Sequence, residues 1–139
     1  MQGKTINQLS IGDSDSLALT ITETHVTMFA GIIGDFNPVH LNEEAAKNSP
    51  FKGRISHGML VGSLFSSVLG TKLPGNGSIY LSQELRFVKP VYLNDTITAT
   101  VTVKEIIAEK NRVIFDTVAT NQNDEVVITG TALIMPPKE

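Results

Sequence analysis

The architecture of this chain is decided by residues 57–70, which read HGMLVGSLFSSVLG. Their spacing predicts one long helix with two different faces, ended by Gly70. The apolar face consists of Leu60, Val61, Leu64, Phe65, Val68 and Leu69, and the small-residue face consists of Gly62, Ser63, Ser66, Ser67 and Gly70. An apolar face of this kind packs on a sheet, whereas a small-residue face lets another backbone or a ligand come close.

The rest of the chain supplies that sheet. An apolar run within residues 15–21 predicts a first strand, and alternation with a period of two predicts four more. These four lie at residues 79–87, 96–103, 113–120 and 126–135, and we expect them to follow one another as a meander. This order indicates an α+β protein in which an antiparallel sheet wraps around a long central helix, the hot-dog architecture. Because such a sheet leaves an open edge, we expect a homodimer that joins two sheets.

Length and composition restrict the class of protein further. The 139 residues predict a single domain, residues 1–139, with a net charge of −3. The chain has no cysteine, which excludes disulfides, thiolate zinc sites and a cysteine nucleophile. No dense cluster of lysine and arginine indicates a nucleic-acid partner, and no apolar stretch is long enough to span a bilayer. The polar start lacks the apolar segment of a secretory signal, so we expect a cytoplasmic protein.

The stretch most suited to chemistry is residues 34–40, which read GDFNPVH and follow a predicted helix. Gly34 is placed to end that helix in a left-handed conformation, and Asn37 before proline forces a turn. The turn brings the Asp35 carboxylate near the His40 imidazole, an arrangement typical of acid–base catalysis. The alternative is that Asp35 and Asn37 only make the hydrogen bonds of a turn, and that His40 is a polar residue at the start of a helix.

The start of the helix at residues 57–70 adds a hydrogen-bond donor. The Gly58 N–H lies in the first turn, where it has no partner within the helix, and it can hold a carbonyl oxygen that becomes negative. Ser66 lies about two turns further along. The alternatives are that Gly58 only permits a tight entry to the helix, that Ser66 is small for close packing, and that His57 is a surface residue.

Asp35, His40 and His57 are also residue types that could together bind a metal ion. The spacing of these residues matches no common ligand signature, and no cysteine is available, so we expect no metal. His25, inside the first predicted helix, is expected to be structural or exposed to solvent.

With these residues laid out, the chain resembles the MaoC-like family, specifically the R-specific enoyl-CoA hydratases that consist of a single hot-dog domain. The resemblance covers nearly the whole chain and is carried by residues 29–41, 57–66 and 73–80. It implies water addition across the double bond of a trans-2-enoyl-CoA, with syn stereochemistry and an (R)-3-hydroxyacyl-CoA product of short chain length. It also implies that no cofactor is needed, because CoA is part of the substrate.

The resemblance also implies roles for individual residues. Asp35 and His40 match the family's catalytic pair, and Gly58 matches the residue whose amide polarises the thioester carbonyl. Ser66 matches a serine close to the pair. Ser66, Asn37 and His57 are the residues expected to contact substrate.

Two other functions remain open on the sequence. A hot-dog acyl-CoA thioesterase would use a carboxylate and a helix N-terminal amide to add water at C1 instead of C3. A non-catalytic acyl-CoA-binding module would bind the thioester without converting it, although such a module has no need of a general base. In each case the CoA phosphates need cationic partners, and the candidates are Lys52, Arg54, Arg86 and Lys89.

Overall fold

The computed structural model of the protein describes all residues, 1–139. The strands are β1 (Ser14–Thr20), β2 (Ile79–Phe87), β3 (Thr96–Ile107), β4 (Arg112–Thr120) and β5 (Val126–Met135). The helices are α1 (Glu23–Ile33), α2 (Pro38–Leu41), α3 (Glu43–Lys47), α4 (Gly58–Gly62) and α5 (Leu64–Thr71). None of the helices is long and apolar enough to cross a membrane.

The five strands form one antiparallel sheet in the order β1-β3-β4-β5-β2, with α5 in contact with β1, β2 and β3. The predicted α+β hot-dog architecture is therefore confirmed. The predicted meander is wrong for one strand, because β2 pairs with β5 at the far edge and not with β3. The connection at residues 88–95 buries Val91 in the core and carries the chain across to β3. Sequence periodicity identifies strands, but it does not record which neighbour each strand takes.

The alternation within β3 has the expected consequence for the core. Its inward side chains are at most 1% exposed, and the threonines between them are half-buried. Opposite them, α5 buries its own apolar face. The facing side chains are Ile97, Ala99, Val101 and Val103 on β3, and Leu64, Phe65, Val68 and Leu69 on α5. The core therefore lies between one face of the sheet and α5.

The helix predicted at residues 57–70 is interrupted at Ser63, which separates α4 from α5. The Ser63 backbone is still right-handed helical, with φ −65° and ψ −18°. Its Oγ, however, donates a 2.5 Å hydrogen bond to the Leu60 carbonyl, and the Ser66 N–H donates to the Ser63 carbonyl in a tighter three-residue pattern. A hydroxyl that bonds a carbonyl of the preceding turn competes with the regular helical hydrogen bonds, which accounts for the interruption.

Helix α1 is capped at both ends, and its predicted end at Gly34 is confirmed. Thr22 caps its start, because Thr22 Oγ1 accepts from the His25 N–H while His25 Nδ1 accepts from the Thr22 N–H. His25 therefore has the structural role that was expected of it. Gly34 ends the helix with φ +78°, a left-handed conformation that a glycine adopts without strain.

Strand β2 forms an open edge with unusually exposed apolar side chains. Its alternating pattern predicted one buried face, yet only Gln83 and Leu85 are even half-buried. The register also shifts between Tyr80 and Ser82, where β2 bulges against β5. Side chains more than one-third exposed on and beside this strand are Ile79, Tyr80, Leu81, Phe87 and Val88.

Candidate active site

Asp35 and His40 are brought together by the short segment between α1 and α2. The Asn37 N–H donates to Asp35 Oδ1 at 3.2 Å, and Asn37 Oδ1 accepts from the Val39 N–H at 3.1 Å. This side-chain cap, with Pro38 in the first helical position, starts α2, a helix that the turn prediction missed. The turn hydrogen bonds of the alternative interpretation therefore exist. They are also what places the Asp35 carboxylate beside His40.

The His40 imidazole is buried, and its protonation pattern is fixed by its neighbours. The residue is 7% exposed, and its Nδ1 lies 2.8 Å from the Ile55 carbonyl oxygen. A carbonyl oxygen only accepts, so Nδ1 carries the hydrogen and the neutral ring leaves Nε2 with a lone pair. That Nε2 lies 3.8 Å from Oδ2 of Asp35, whose side chain is 46% exposed. An imidazole nitrogen with a lone pair and a carboxylate thus face one small gap that opens to solvent.

His57 is even more deeply buried, directly behind this pair. It is 3% exposed, and its Nε2 donates to the backbone carbonyl oxygen of Asp35 at 3.0 Å. Its ring stacks on the His40 ring, with centroids 3.9 Å apart and planes at 28°. The Phe29 ring meets it edge-on at 5.1 Å. The alternative of a surface residue is therefore wrong, because this ring is enclosed on several sides.

Gly58 is the first residue of α4, as expected, and its N–H has no protein acceptor within hydrogen-bond distance. It lines an apolar cavity of about 470 Å³. The cavity wall also includes Phe51, Met59, Phe87 and Pro90. A Cβ at position 58 would lie 2.8 Å from the Phe87 ring, so only glycine lets the ring pack this closely on the helix start.

Ser66 lies on the exposed face of α5, among the small residues predicted to allow close approach. Its hydroxyl makes no hydrogen bond within the chain. The Ser66 hydroxyl is therefore free to bond a ligand. A small side chain at this position would equally allow a second chain to pack closely.

The three ligand atoms of Asp35, His40 and His57 lie within 4.8 Å of one another, which is close enough for a metal ion. Two of the four imidazole nitrogens, however, already donate to backbone carbonyls. Only the carboxylate and His40 Nε2 remain free to face one point, whereas protein zinc sites use three or four ligands. The absence of a metal stays a prediction, and the hydrogen bonding favours it.

Among the four cationic candidates for CoA phosphates, Arg54 has a different role. Its side chain is 11% exposed, and its Nε donates to the His40 carbonyl at 2.8 Å while Nη1 pairs with Glu23 at 2.7 Å. Arg54 is therefore not available to a phosphate, and the proposal of Arg54 as a phosphate ligand is corrected. Sequence spacing gave no sign of this contact, because His40 lies in α2 and Arg54 in the later loop, 14 residues along the chain.

The other three candidates are on the surface. Lys89 lines the apolar cavity and pairs with Glu125, and this contact lowers the pKa of the Glu125 carboxyl. Arg86 lies 3.6 Å from Glu84. Lys52 is exposed and makes no ion pair.

The fold and the site together define a hot-dog protein in which an aspartate and a histidine face one gap near the start of a helix. The family model described as "MaoC like domain" matches residues 11–126. The chain belongs to this family, as the resemblance implied.

Named relatives agree with this membership. An (R)-specific enoyl-CoA hydratase from Rhodospirillum rubrum is 50% identical over 91% of this chain and 87% of its own length. A 3-hydroxybutyryl-CoA dehydratase from Methylorubrum extorquens is 42% identical over 94% of this chain and 83% of its own. An unliganded R-hydratase from Pseudomonas aeruginosa superposes with a TM-score of 0.94 at 42% identity, over 99% of this chain and 88% of that one. The predicted fold, family and hydro-lyase class are confirmed.

Proposed function

We propose that this protein is an R-specific enoyl-CoA hydratase in which Asp35 and His40 hold the reacting water. The supporting observation is the 3.8 Å gap between Asp35 Oδ2 and His40 Nε2. An ionised carboxylate and an unprotonated imidazole nitrogen both accept hydrogen bonds, so they do not bond each other. A water about 2.8 Å from each atom can donate one hydrogen to each of them. Its lone pair then faces the open side of the gap, where C3 of the enoyl group would lie.

The same protonation pattern indicates how the hydrogen atoms move. Neither atom that faces the water carries a proton before the reaction. The single N–H of the neutral His40 ring is on Nδ1, where it is hydrogen-bonded to the Ile55 carbonyl. The hydroxide part of the water attacks C3, and its proton passes to the Asp35–His40 pair. That proton is the one available for C2, so one water supplies both atoms that add. Delivery from one group of residues to one face of the double bond gives syn addition. The (R)-3-hydroxyacyl product is proposed from the relatives named as R-specific hydratases, because the face that the substrate presents decides the configuration at C3.

The thioester carbonyl is assigned to the Gly58 N–H. As electrons move from the double bond toward the carbonyl, the oxygen gains negative charge, which an N–H without another partner stabilises. The apolar cavity that begins at Gly58 has room for an apolar part of the thioester. A short acyl chain is proposed from the family resemblance, and the relative from Methylorubrum extorquens is named for a four-carbon substrate.

The remaining substrate contacts are assigned to residues with free polar atoms. Ser66 has an unbonded hydroxyl, and the Asn37 side-chain nitrogen makes no hydrogen bond while its oxygen caps α2. The CoA phosphates are assigned to Lys52, Lys89 or Arg86. No cofactor is required, because water, acid–base groups and the N–H donor supply every step.

A homodimer is proposed as the working form, in the cytoplasm. The unpaired edge of β2 is long and carries exposed apolar side chains, which a second copy of β2 would cover while it extends the sheet. Light scattering should give about twice the chain mass, and Leu81→Glu, which places a charge on this edge, should shift the mass toward one chain. A wild-type monomer would contradict the dimer.

The activity is tested with purified protein and crotonyl-CoA. Loss of the ultraviolet absorbance of the enoyl thioester, without free thiol and with an (R)-3-hydroxy product, would support the hydratase. Asp35→Asn serves as the background control in the same assay. Absorbance loss with stoichiometric thiol would indicate the alternative thioesterase. Binding of short and longer enoyl-CoA without conversion would indicate the acyl-CoA-binding module.

A further inference from the structure

We propose that His57 is a positioning residue that fixes the relative positions of Asp35, His40 and Gly58, and that it does not contact substrate. This role rests on the proposed function. The ring has almost no accessible surface to offer a ligand, because it is 3% exposed, stacked on His40 and met edge-on by Phe29. Its Nε2 is already engaged with the Asp35 carbonyl.

The protonation pattern of His57 is opposite to that of His40. Its Nε2 donates to a carbonyl oxygen, so Nε2 carries the hydrogen and Nδ1 has the lone pair. That Nδ1 is buried and has no hydrogen-bond partner. A buried polar atom without a partner costs free energy, so an apolar residue here would avoid a penalty that histidine brings. The advantage of histidine at this position is the hydrogen bond that its Nε2 donates to the Asp35 carbonyl.

This donor belongs to a set of contacts between two segments of the chain. The segment with Arg54, Ile55 and His57 makes four hydrogen bonds to the segment that runs from Asp35 to His40. They are Arg54 Nε to the His40 carbonyl at 2.8 Å, the Ile55 N–H to the Val39 carbonyl at 3.2 Å, His40 Nδ1 to the Ile55 carbonyl at 2.8 Å, and His57 Nε2 to the Asp35 carbonyl at 3.0 Å. The His57 bond is the one that reaches Asp35.

The consequence follows from the chain sequence. His57 is directly followed by Gly58, so the residue that holds the Asp35 backbone is covalently joined to the donor for the carbonyl oxygen. The stacked His57 ring also restricts the tilt of the His40 ring, whose Nδ1 is held in its plane by Ile55. The water at Asp35 and His40 and the carbonyl at Gly58 must fit one substrate, in which C3 and the carbonyl carbon are two bonds apart. His57 fixes the distance between those two places.

The test compares His57→Gln with His57→Leu. The glutamine Nε2 reaches about as far from the backbone as the imidazole Nε2 and donates a hydrogen, whereas leucine fills similar space and leaves the Asp35 carbonyl unpaired. Because misplacement by about 1 Å can cost about 10²-fold in rate, we expect His57→Leu to lower kcat by about 10–10²-fold and to change KM by less than about threefold. His57→Gln should recover most of kcat. His25→Gln, in the cap of α1, is the matched histidine control and should leave kcat unchanged.

The protonation pattern provides a second measurement, on the unaltered protein. Nitrogen-15 NMR of the three histidines should show hydrogen on Nε2 of His57 and on Nδ1 of His40. Hydrogen on Nδ1 of His57 would overturn the proposal even if the leucine variant failed to fold. So would a folded His57→Leu variant that kept kcat, or one that lost affinity instead. A wild-type protein that does not hydrate crotonyl-CoA would contradict the proposed function, while the NMR result would still decide whether His57 holds Asp35.

Discussion

His40 Nε2 lies 3.8 Å from Asp35 Oδ2, and when the His40 ring is neutral these two atoms face each other as acceptors. The Ile55 carbonyl creates this arrangement, because it takes the single hydrogen of the neutral His40 ring on the opposite nitrogen. An Asp–His pair that bonded each other directly would leave no place for a water between them. The gap is therefore compatible with the proposed water between the two side chains.

Loss of either member of this pair should abolish most of the activity while leaving the fold intact. Asp35→Asn and His40→Gln should each lower turnover by at least about 10²-fold, since a positioned acid–base group contributes about 10²–10⁴ in rate. Initial rates with crotonyl-CoA measure the effect, and circular dichroism checks the fold. Folded variants with nearly full activity would rule out the assignment.

Gly58→Ala should impair catalysis through a steric effect. The new Cβ would lie 2.8 Å from the Phe87 ring, which is 53% exposed and can be pushed aside into the apolar cavity. Displacement of the ring or of the helix start should lower kcat/KM by about tenfold or more. Adding Phe87→Ala should restore part of the loss. Gly53→Ala, where the new Cβ meets only Tyr92 at 3.9 Å, is the control and should leave kcat/KM unchanged.

Ser66→Ala should have a smaller effect than changes at the acid–base pair. If the free hydroxyl orients the substrate, kcat/KM should fall by about 10–100-fold. Ser67→Ala, at the neighbouring exposed position of α5, is the matched control and should have no effect on kcat/KM. Equal kcat/KM values for both variants and the wild type would indicate that Ser66 serves only for close packing.

Gly130→Ala should weaken the pairing of β2 with β5. A Cβ at this position would lie 1.9 Å from the Glu84 backbone oxygen, which cannot move without displacing the strand. We expect a loss of about 1–3 kcal/mol in the free energy of unfolding, measured in urea. Gly31→Ala, in the interior of α1 with nothing within 4 Å, should instead gain about 0.5–1 kcal/mol. If Gly130→Ala unfolds at the same urea concentration as the wild type, this result would contradict the close approach of β2 to β5 at Gly130.

Tyr80 should make stability fall at high pH. Desolvation of the partly buried phenol raises the pKa of Tyr80 from 10.0 to about 12, so the folded state keeps the phenol proton that the unfolded chain loses. Unfolding therefore releases a proton between pH 10 and about 12, and the free energy of unfolding should fall as pH rises through this window. Urea unfolding across this range measures the slope. Tyr80→Phe should make the slope shallower, and an unchanged slope would contradict the raised pKa.

Much of this protein could be predicted from local pattern. The alternation from Ile97 to Val103 fixes which face of β3 is buried, because successive side chains of a strand point to opposite sides. The turn that joins Asp35 to His40 follows from Asn37 and Pro38, which act on their immediate neighbours. Gly58 as a helix start and Gly34 as a helix end depend on backbone preferences of the same short range.

Contacts between distant segments were decided by the tertiary structure alone. These contacts include the pairing of β2 and the hydrogen bonds of Arg54, His57 and His40, which all depend on groups that lie elsewhere in the chain. The sequence by itself determined the fold class and the family, and it gave the candidate residues for the chemistry, because all of these follow from residue spacing and residue type. Only the tertiary structure decided which nitrogen of each histidine carries hydrogen, since a hydrogen-bond partner fixes that choice and the chain must fold to supply it.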